Sequence, residues 1–211
     1  MSTPQHAADA SAIAREDRAA ESRASILDAA EAVLLAEGAD GLTIRKVSDR
    51  CGFSAPTLYH HFGDKTGLLD AVLEARFAVV LRLMQSIARS GDPAQDVIAM
   101  ARAFVRFALD NPDHYRLLTV PRLDDDGVPS AEAARALVNR SLEDLAREGA
   151  LATPNIEEAF DITWAVLHGI ISLYLLRPSR DFSPDLIERA LDVLRVGLLR
   201  NPQRAPSRNT G

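Results

Sequence analysis

At 211 residues, with 47% apolar and 26% charged positions, the chain is long enough to bury a sizeable core and lacks the composition of a disordered or fibrous protein. One cysteine, Cys51, excludes an internal disulfide and an all-cysteine metal site, so neither a metal nor another cofactor is expected. The formal net charge of −6 opposes indiscriminate binding to a polyanion, and any nucleic-acid contact must come from a local patch.

Residues 1–20 and 201–211 are rich in Ala, Pro, Ser and Arg without apolar periodicity, and both are expected to be disordered tails. The first of them lacks an apolar stretch of signal-peptide length, which gives the expectation of a cytoplasmic protein. Apolar residues then recur at three and four. A helix over 21–37 places Ile26, Ala30, Val33 and Leu34 on one face and stops at Gly38. Thr43 caps a second helix whose inward face is Ile44, Val47 and Cys51, ending at Gly52. Ser54 caps a third, with Pro56 in its first turn, where a missing N–H costs nothing. Asp64 caps a long fourth helix through Leu68, Leu69, Val72, Leu73, Phe77 and Val80 to about residue 88, although Gly67 weakens its first turn.

Asp92-Pro93 opens a fifth helix reaching residue 110 and Asn111-Pro112 a short sixth, before an acidic loop over 121–129. A seventh helix covers 130–148, an apolar eighth 154–176, and a ninth 183–200. No alternating β-branched run suggests a strand. The expected fold is all-α with about nine helices: a helix-turn-helix domain over 21–66, then a helical bundle over 67–200.

Three short helices and a long one, with Gly52-Phe53-Ser54 between the second and third, have the dimensions of a helix-turn-helix unit. Both lysines of the chain, Lys46 and Lys65, lie in this segment, and residues 43–65 carry Arg45, Lys46, Arg50 and Lys65 against Asp49 and Asp64. That is a locally basic surface on an acidic protein. The runs Thr43-Ile44-Arg45-Lys46-Val47, Cys51-Gly52-Phe53-Ser54 and Thr57-Leu58-Tyr59-His60-His61-Phe62, followed by Lys65, closely resemble the TetR family signature. The resemblance covers about residues 21–80. It implies a homodimeric repressor of double-stranded operator DNA that responds to a small-molecule effector, and no enzyme. It also gives Tyr59 the role of a phosphate contact.

Leu58 and Phe62, four apart, share a face that pins the third helix, and Tyr59 points about 100° away from it. The alternative for Tyr59 is a residue completing the core. Ser54, Ala55 and Thr57 stand near the N-terminus of the third helix, where base edges are reached if it enters the major groove. Thr43, Arg45, His60 and Lys65 are candidate phosphate clamps, with a solvated surface residue as the alternative, above all for Arg45. Two positions depart from the family: Gly67, where a helix-favouring residue is usual, and Cys51, where alanine is common. Cys51 reads as a small core residue rather than a redox switch.

Residues Asn111 to Leu118, with Trp164-Ala165-Val166-Leu167-His168-Gly169, resemble the C-terminal class named WHG. Trp164 and His168, four apart, face one way as candidate pocket residues, although a core histidine bonded to a neighbouring backbone group is the competing reading. Met100, Phe104, Phe107, Tyr115 and Leu118 are further wall candidates. Residues 159–176 are nearly apolar and only just long enough for a membrane span; Asp161 and His168 make spanning costly, and a fully buried helix is expected. The resemblance implies that the last two helices pair with their symmetry mates. The leucine surplus of the ninth points to Leu186, Leu191, Leu194 and Leu198 as the interface. The rivals are a helical-bundle enzyme using His168 as acid or base, which lacks a partner group, and a protein-interaction module, which leaves the Tyr59 and Lys65 placement unexplained.

Overall fold

The computed structural model describes the backbone of residues 4–120 and 128–199, with side chains from residue 16 onward. Among these residues there are nine α-helices and no strand: α1 Pro4–Gly41, α2 Ile44–Cys51, α3 Ala55–Phe62, α4 Lys65–Gln85, α5 Pro93–Asp110, α6 Pro112–Leu118, α7 Pro129–Arg147, α8 Ile156–Leu176 and α9 Leu186–Leu198. The acidic run Asp124–Asp126 and the tail over 201–211 lie outside the described residues.

α1 corrects the expected tail over 1–20, because the helix starts at Pro4. Alanines recur through this stretch, and alanine has the highest intrinsic helix propensity. From residue 16 to Ser25 its side chains are exposed apart from Ser22, so helix forms there without core contacts. Gly38, with φ 73° and ψ −175°, breaks the helical geometry at the expected place, and the chain resumes a last turn to Gly41.

The helices form two compact units. The first contains residues up to Arg76 together with 116–120, so it extends past the expected boundary at 66. The reason is the start of α4: Leu68, Leu69, Val72 and Leu73 are buried alongside Ile26, Ala30, Val33 and Leu34 of α1, Val47 of α2 and Leu58 of α3. Each fully buried leucine contributes roughly 1.5–3 kcal/mol. Arg76 pairs with Glu31 of α1, and Arg116 donates to the Leu35 carbonyl at 3.3 Å.

The second unit contains Phe77–Tyr115 and residues 128–199. Here α5 packs on α7, α8 and α9. Phe104, Val105 and Ala108 of α5, Leu142 of α7, Ile171 of α8 and Leu191 of α9 fill the core. The Asp92 side chain accepts from the Ala94 and Gln95 amides at the start of α5, and these bonds hold its pKa below the ordinary value. Asp96 is buried but satisfied, accepting from the Ser90 amide at 2.7 Å, the Ser90 hydroxyl at 2.8 Å and Arg89 at 3.2 Å. Glu188 of α9 accepts from Arg102 of α5 at 2.8 Å.

α8 departs from expectation. It is long and apolar enough to cross a membrane by length and composition, yet only 28% of its most apolar stretch is buried. Ala159, Thr163, Leu167, Ile170 and Ile171 face the unit, because one side is all that α5, α7 and α9 cover. The opposite side carries Ile162, Ala165, Gly169, Leu173 and Leu176 at spacings of three and four. Ile162 is 44% exposed and Leu176 80%.

Candidate functional site

The first candidate surface is built by α2, the Gly52 turn and α3. Thr43 is extended at φ −138°, and its hydroxyl accepts from the Lys46 amide at 3.2 Å, which caps α2. Gly52 then adopts φ 76°, a left-handed conformation that a side chain would strain, and its N–H donates to the Ser48 carbonyl. Ser54 occupies the N-cap of α3 but makes no capping bond; its hydroxyl shares a hydrogen bond with Thr57 at 2.9 Å. Leu58 is fully buried, and Arg23 of α1 lies over the half-buried Phe62 ring at 5.3 Å. His61 meets Ser22 of α1 at 3.1 Å, so the C-terminal end of α3 is tied to α1.

With Leu58 inward, Tyr59 is turned outward and is 53% exposed. Thr43, Arg45, Ser54 and His60 are also exposed, while Ala55, Thr57 and Lys65 are half-buried. Among the candidate cations, Arg45 is nearly free in solvent and only 3.9 Å from Asp49. Lys46 is engaged by Glu37 and by the Gly41 carbonyl at 3.1 Å, so its charge is partly consumed within the unit. Arg50 is exposed and makes no ion pair among the described residues, a cation the candidate set omits although it stands in the same basic run. Cys51 is half-buried rather than buried, with its thiol 3.9 Å from the Ser48 carbonyl.

Gly67 has a structural reason. Asp64 accepts from the Gly67 amide at 2.8 Å, and a Cβ at this position would sit 2.1 Å from the Phe62 carbonyl oxygen. Only glycine lets the first turn of α4 pass this close to the end of α3.

The second candidate site is a cavity of about 400 Å³ inside the second unit, where the later part of α4 meets α5, α7 and α8. Met100, Phe104 and Trp164 line it, as do Phe77, Phe160 and Arg135, which the sequence reading missed. Phe160 was within reach, because Phe160, Trp164 and His168 repeat every four residues along α8. Trp164 stacks between Phe104 at 5.7 Å and Phe160 at 6.1 Å.

Phe107, Tyr115, Leu118 and His168 are not among the lining residues. Phe107 packs edge-on against His114 at 4.8 Å, and Leu118 is buried in the first unit. His168 contacts the Trp164 ring at 4.0 Å and shares a hydrogen bond with the Tyr115 hydroxyl at 2.7 Å, where a backbone partner was the alternative. Its Nε2 is buried without a hydrogen-bond partner among the described residues, and burial lowers its pKa below 6.5, favouring the neutral ring.

The N-terminal segment 26–72 matches the family model of bacterial regulatory proteins, tetR family, and residues 97–194 match the model of the tetracyclin repressor-like C-terminal domain. The chain belongs to the TetR family. TetR-type proteins are transcription regulators rather than enzymes. The chain is 36% identical over 113 residues to the class A tetracycline repressor of transposon 1721 from Escherichia coli, covering 53% of this chain and half the length of that relative. It is 27% identical over 175 residues to the HTH-type transcriptional regulator Rv0681 of Mycobacterium tuberculosis, an uncharacterized protein, covering 79% of this chain and 76% of the other. A TetR family transcription regulator from Marinobacter aquaeolei VT8 has the same fold, with a TM-score of 0.69 at 17% identity, covering 89% of this chain and 99% of that one. The narrower resemblance to the WHG class rests on residues 111–118 and 164–169 of the sequence.

Within this TetR-family chain the expected interface leucines fall elsewhere. Leu191, Leu194 and Leu198 are buried in the core of the second unit, and Leu186 is half-buried. The exposed apolar residues of α9 are Val193, at 72%, and Val196, at 62%. A helix that packs its leucines inward leaves its valines outside.

Proposed function

We propose that the chain is a homodimeric repressor that binds double-stranded operator DNA through α2 and α3 and releases it when a small molecule occupies the cavity. The observation that carries this reading is the outward Tyr59 beside the fully buried Leu58, with hydroxyls and cations around it. A phenol in this position donates to a phosphate, while Ser54, Ala55 and Thr57 at the start of α3 reach base edges. Thr43, Arg45, His60 and Lys65 clamp the backbone on either side, and Arg50 joins them.

One such surface contacts too few base pairs to single out a site in a genome, and a two-fold dimer reading a palindrome roughly squares the discrimination. The apolar stripe of α8 with Val193 and Val196 of α9 supports self-association, since a stripe of this kind buries itself against its symmetry mate. Exposed Gly169 and Gly197 have nothing within 4 Å of a Cβ position and would let two copies approach closely. The ligand acts by favouring a dimer conformation whose two α3 helices no longer match successive major grooves. Repression rather than activation follows the name of the class A tetracycline repressor.

The test is a gel shift with DNA from upstream of the chain's own gene, in parallel with a random duplex. Retardation of the upstream fragment at salt where the random duplex stays free is the expected result. Equal binding to both would leave the chain without an operator and end the reading. A reporter fused to that promoter, silent with the protein and active without it, separates a repressor from an activator.

A further inference from the structure

We propose that the ligand of the cavity is an apolar organic cation. The inference rests on the effector-site reading above and names the chemical class that the site accepts.

The wall is apolar. Aliphatic side chains such as Val80, Val97 and Leu167, with Phe77, Phe104, Phe160 and Trp164, line a space of about 400 Å³, within the range of small-molecule sites, roughly 300–1,000 Å³. The deep polar groups are already spent. The Thr163 hydroxyl, on a residue only 4% exposed, donates back to the Ala159 carbonyl at 2.8 Å and offers no hydrogen to a ligand. The inner portion of the ligand is therefore apolar.

Charge decides the rest. Arg135 lines the cavity, but its guanidinium lies over the Phe160 ring at 4.2 Å and pairs with Glu157. It is thus engaged from two sides. Glu132 of α7 and Asp161 of α8 line the same cavity, are exposed, and form no ion pair among the described residues. With Arg135 balanced by Glu157, these two carboxylates leave the mouth negative. An anionic ligand would meet both of them, whereas a cation is attracted by both. The acidic mouth and the apolar wall are independent features: the first selects the charge of the ligand and the second its apolar body.

The experiment is calorimetric titration of the full-length protein with tetraphenylphosphonium and with tetraphenylborate, two ions of nearly the same shape and opposite charge. The phosphonium is expected to bind more tightly than the borate. Glu132→Gln combined with Asp161→Asn should weaken the phosphonium by about tenfold and leave the borate unchanged or tighter. These positions are exposed, so the double variant keeps its fold, which circular dichroism checks. Trp164→Ala should weaken phosphonium binding because it removes part of the apolar wall.

Tighter binding of the borate, no binding of either ion, or an unchanged phosphonium affinity in the double variant would each overturn the proposal. A gel shift on the same samples keeps the two readings apart. Operator binding without phosphonium binding defeats the ligand class alone, and phosphonium binding without operator binding defeats the regulator reading alone.

Discussion

The exposed faces of the two units are made of opposite materials. Around α2 and α3 the outward residues include hydroxyls, cations, Asp49 and one phenol, Tyr59, over a core of buried leucine, isoleucine and valine. On α8 and α9 they are Ile162, Leu176, Val193 and Val196. A polar, mixed surface stays soluble without a partner, whereas a continuous apolar stripe has a free-energy reason to find one. In the proposed function the first unit meets a charged polymer and the second apolar matter, whether a second copy outside or a ligand inside.

The largest expected effect breaks the second half of that contrast. Val193→Glu with Val196→Glu should give soluble, folded monomers by light scattering and should abolish operator binding, because both valines are outside the protomer core. Leu191→Glu with Leu194→Glu should instead lose the helical signal, since both leucines lie inside it. A V193E/V196E protein that remains a dimer with parental affinity would place the interface elsewhere.

Next in size is a contrast within one helix. Leu58→Ala should cost about 2–5 kcal/mol in denaturant unfolding, as for a fully buried leucine. Its neighbour Tyr59→Ala should leave the unfolding midpoint nearly unchanged and still weaken DNA binding. Equal effects of the two on stability would mean that Tyr59 belongs to the core.

A smaller effect sharpens the division between positioning and reading. Lys65→Ala should weaken all duplexes alike and lower the slope of log affinity against log salt by about one. Thr57→Ala should change which operator bases are preferred and leave that slope alone. Binding competitions across point-mutated operators at several salt concentrations measure both.

The smallest effect concerns His168. Burial lowers its pKa, so below 6.5 the unfolded chain takes up a proton that the folded one resists. The contribution of this residue is complete above that pH and is lost as the pH falls through the lowered folded value. His168→Gln should therefore flatten the acid side of the stability curve relative to the parent. Identical pH profiles for the two proteins would show that the ring is protonated equally in both states.

The first unit was legible in the sequence because its signals are local. Thr43, Gly52, Ser54 and Asp64 sit at helix ends, where one residue type has one job, and the inward faces of α1, α3 and α4 follow from spacing. The second unit hides its information in which of two apolar faces a neighbouring helix covers. Leucine count on α9 pointed to Leu191, Leu194 and Leu198 as a surface, but α5 and α8 pack on that face and leave the valines outside. The cavity had the same difficulty. Phe77, Arg135 and Trp164 come from three helices, and nothing in their spacing along the chain says that they meet. His168, conspicuous beside Trp164, turned out to be held by Tyr115, a partner that no periodicity on α8 could reveal.

Gly67 looked like a flaw in α4, yet its missing side chain is what seats the end of α3 against the next helix, backbone to backbone. A contact of this kind does not depend on rotamers or on the size of any core residue. The orientation of Tyr59 and Thr57 is accordingly tolerant of sequence drift across the α4 core, where one aliphatic residue can replace another. That tolerance ends at a single codon: a methyl group at position 67 forces the Phe62 carbonyl aside and moves the reading surface without altering any residue on it.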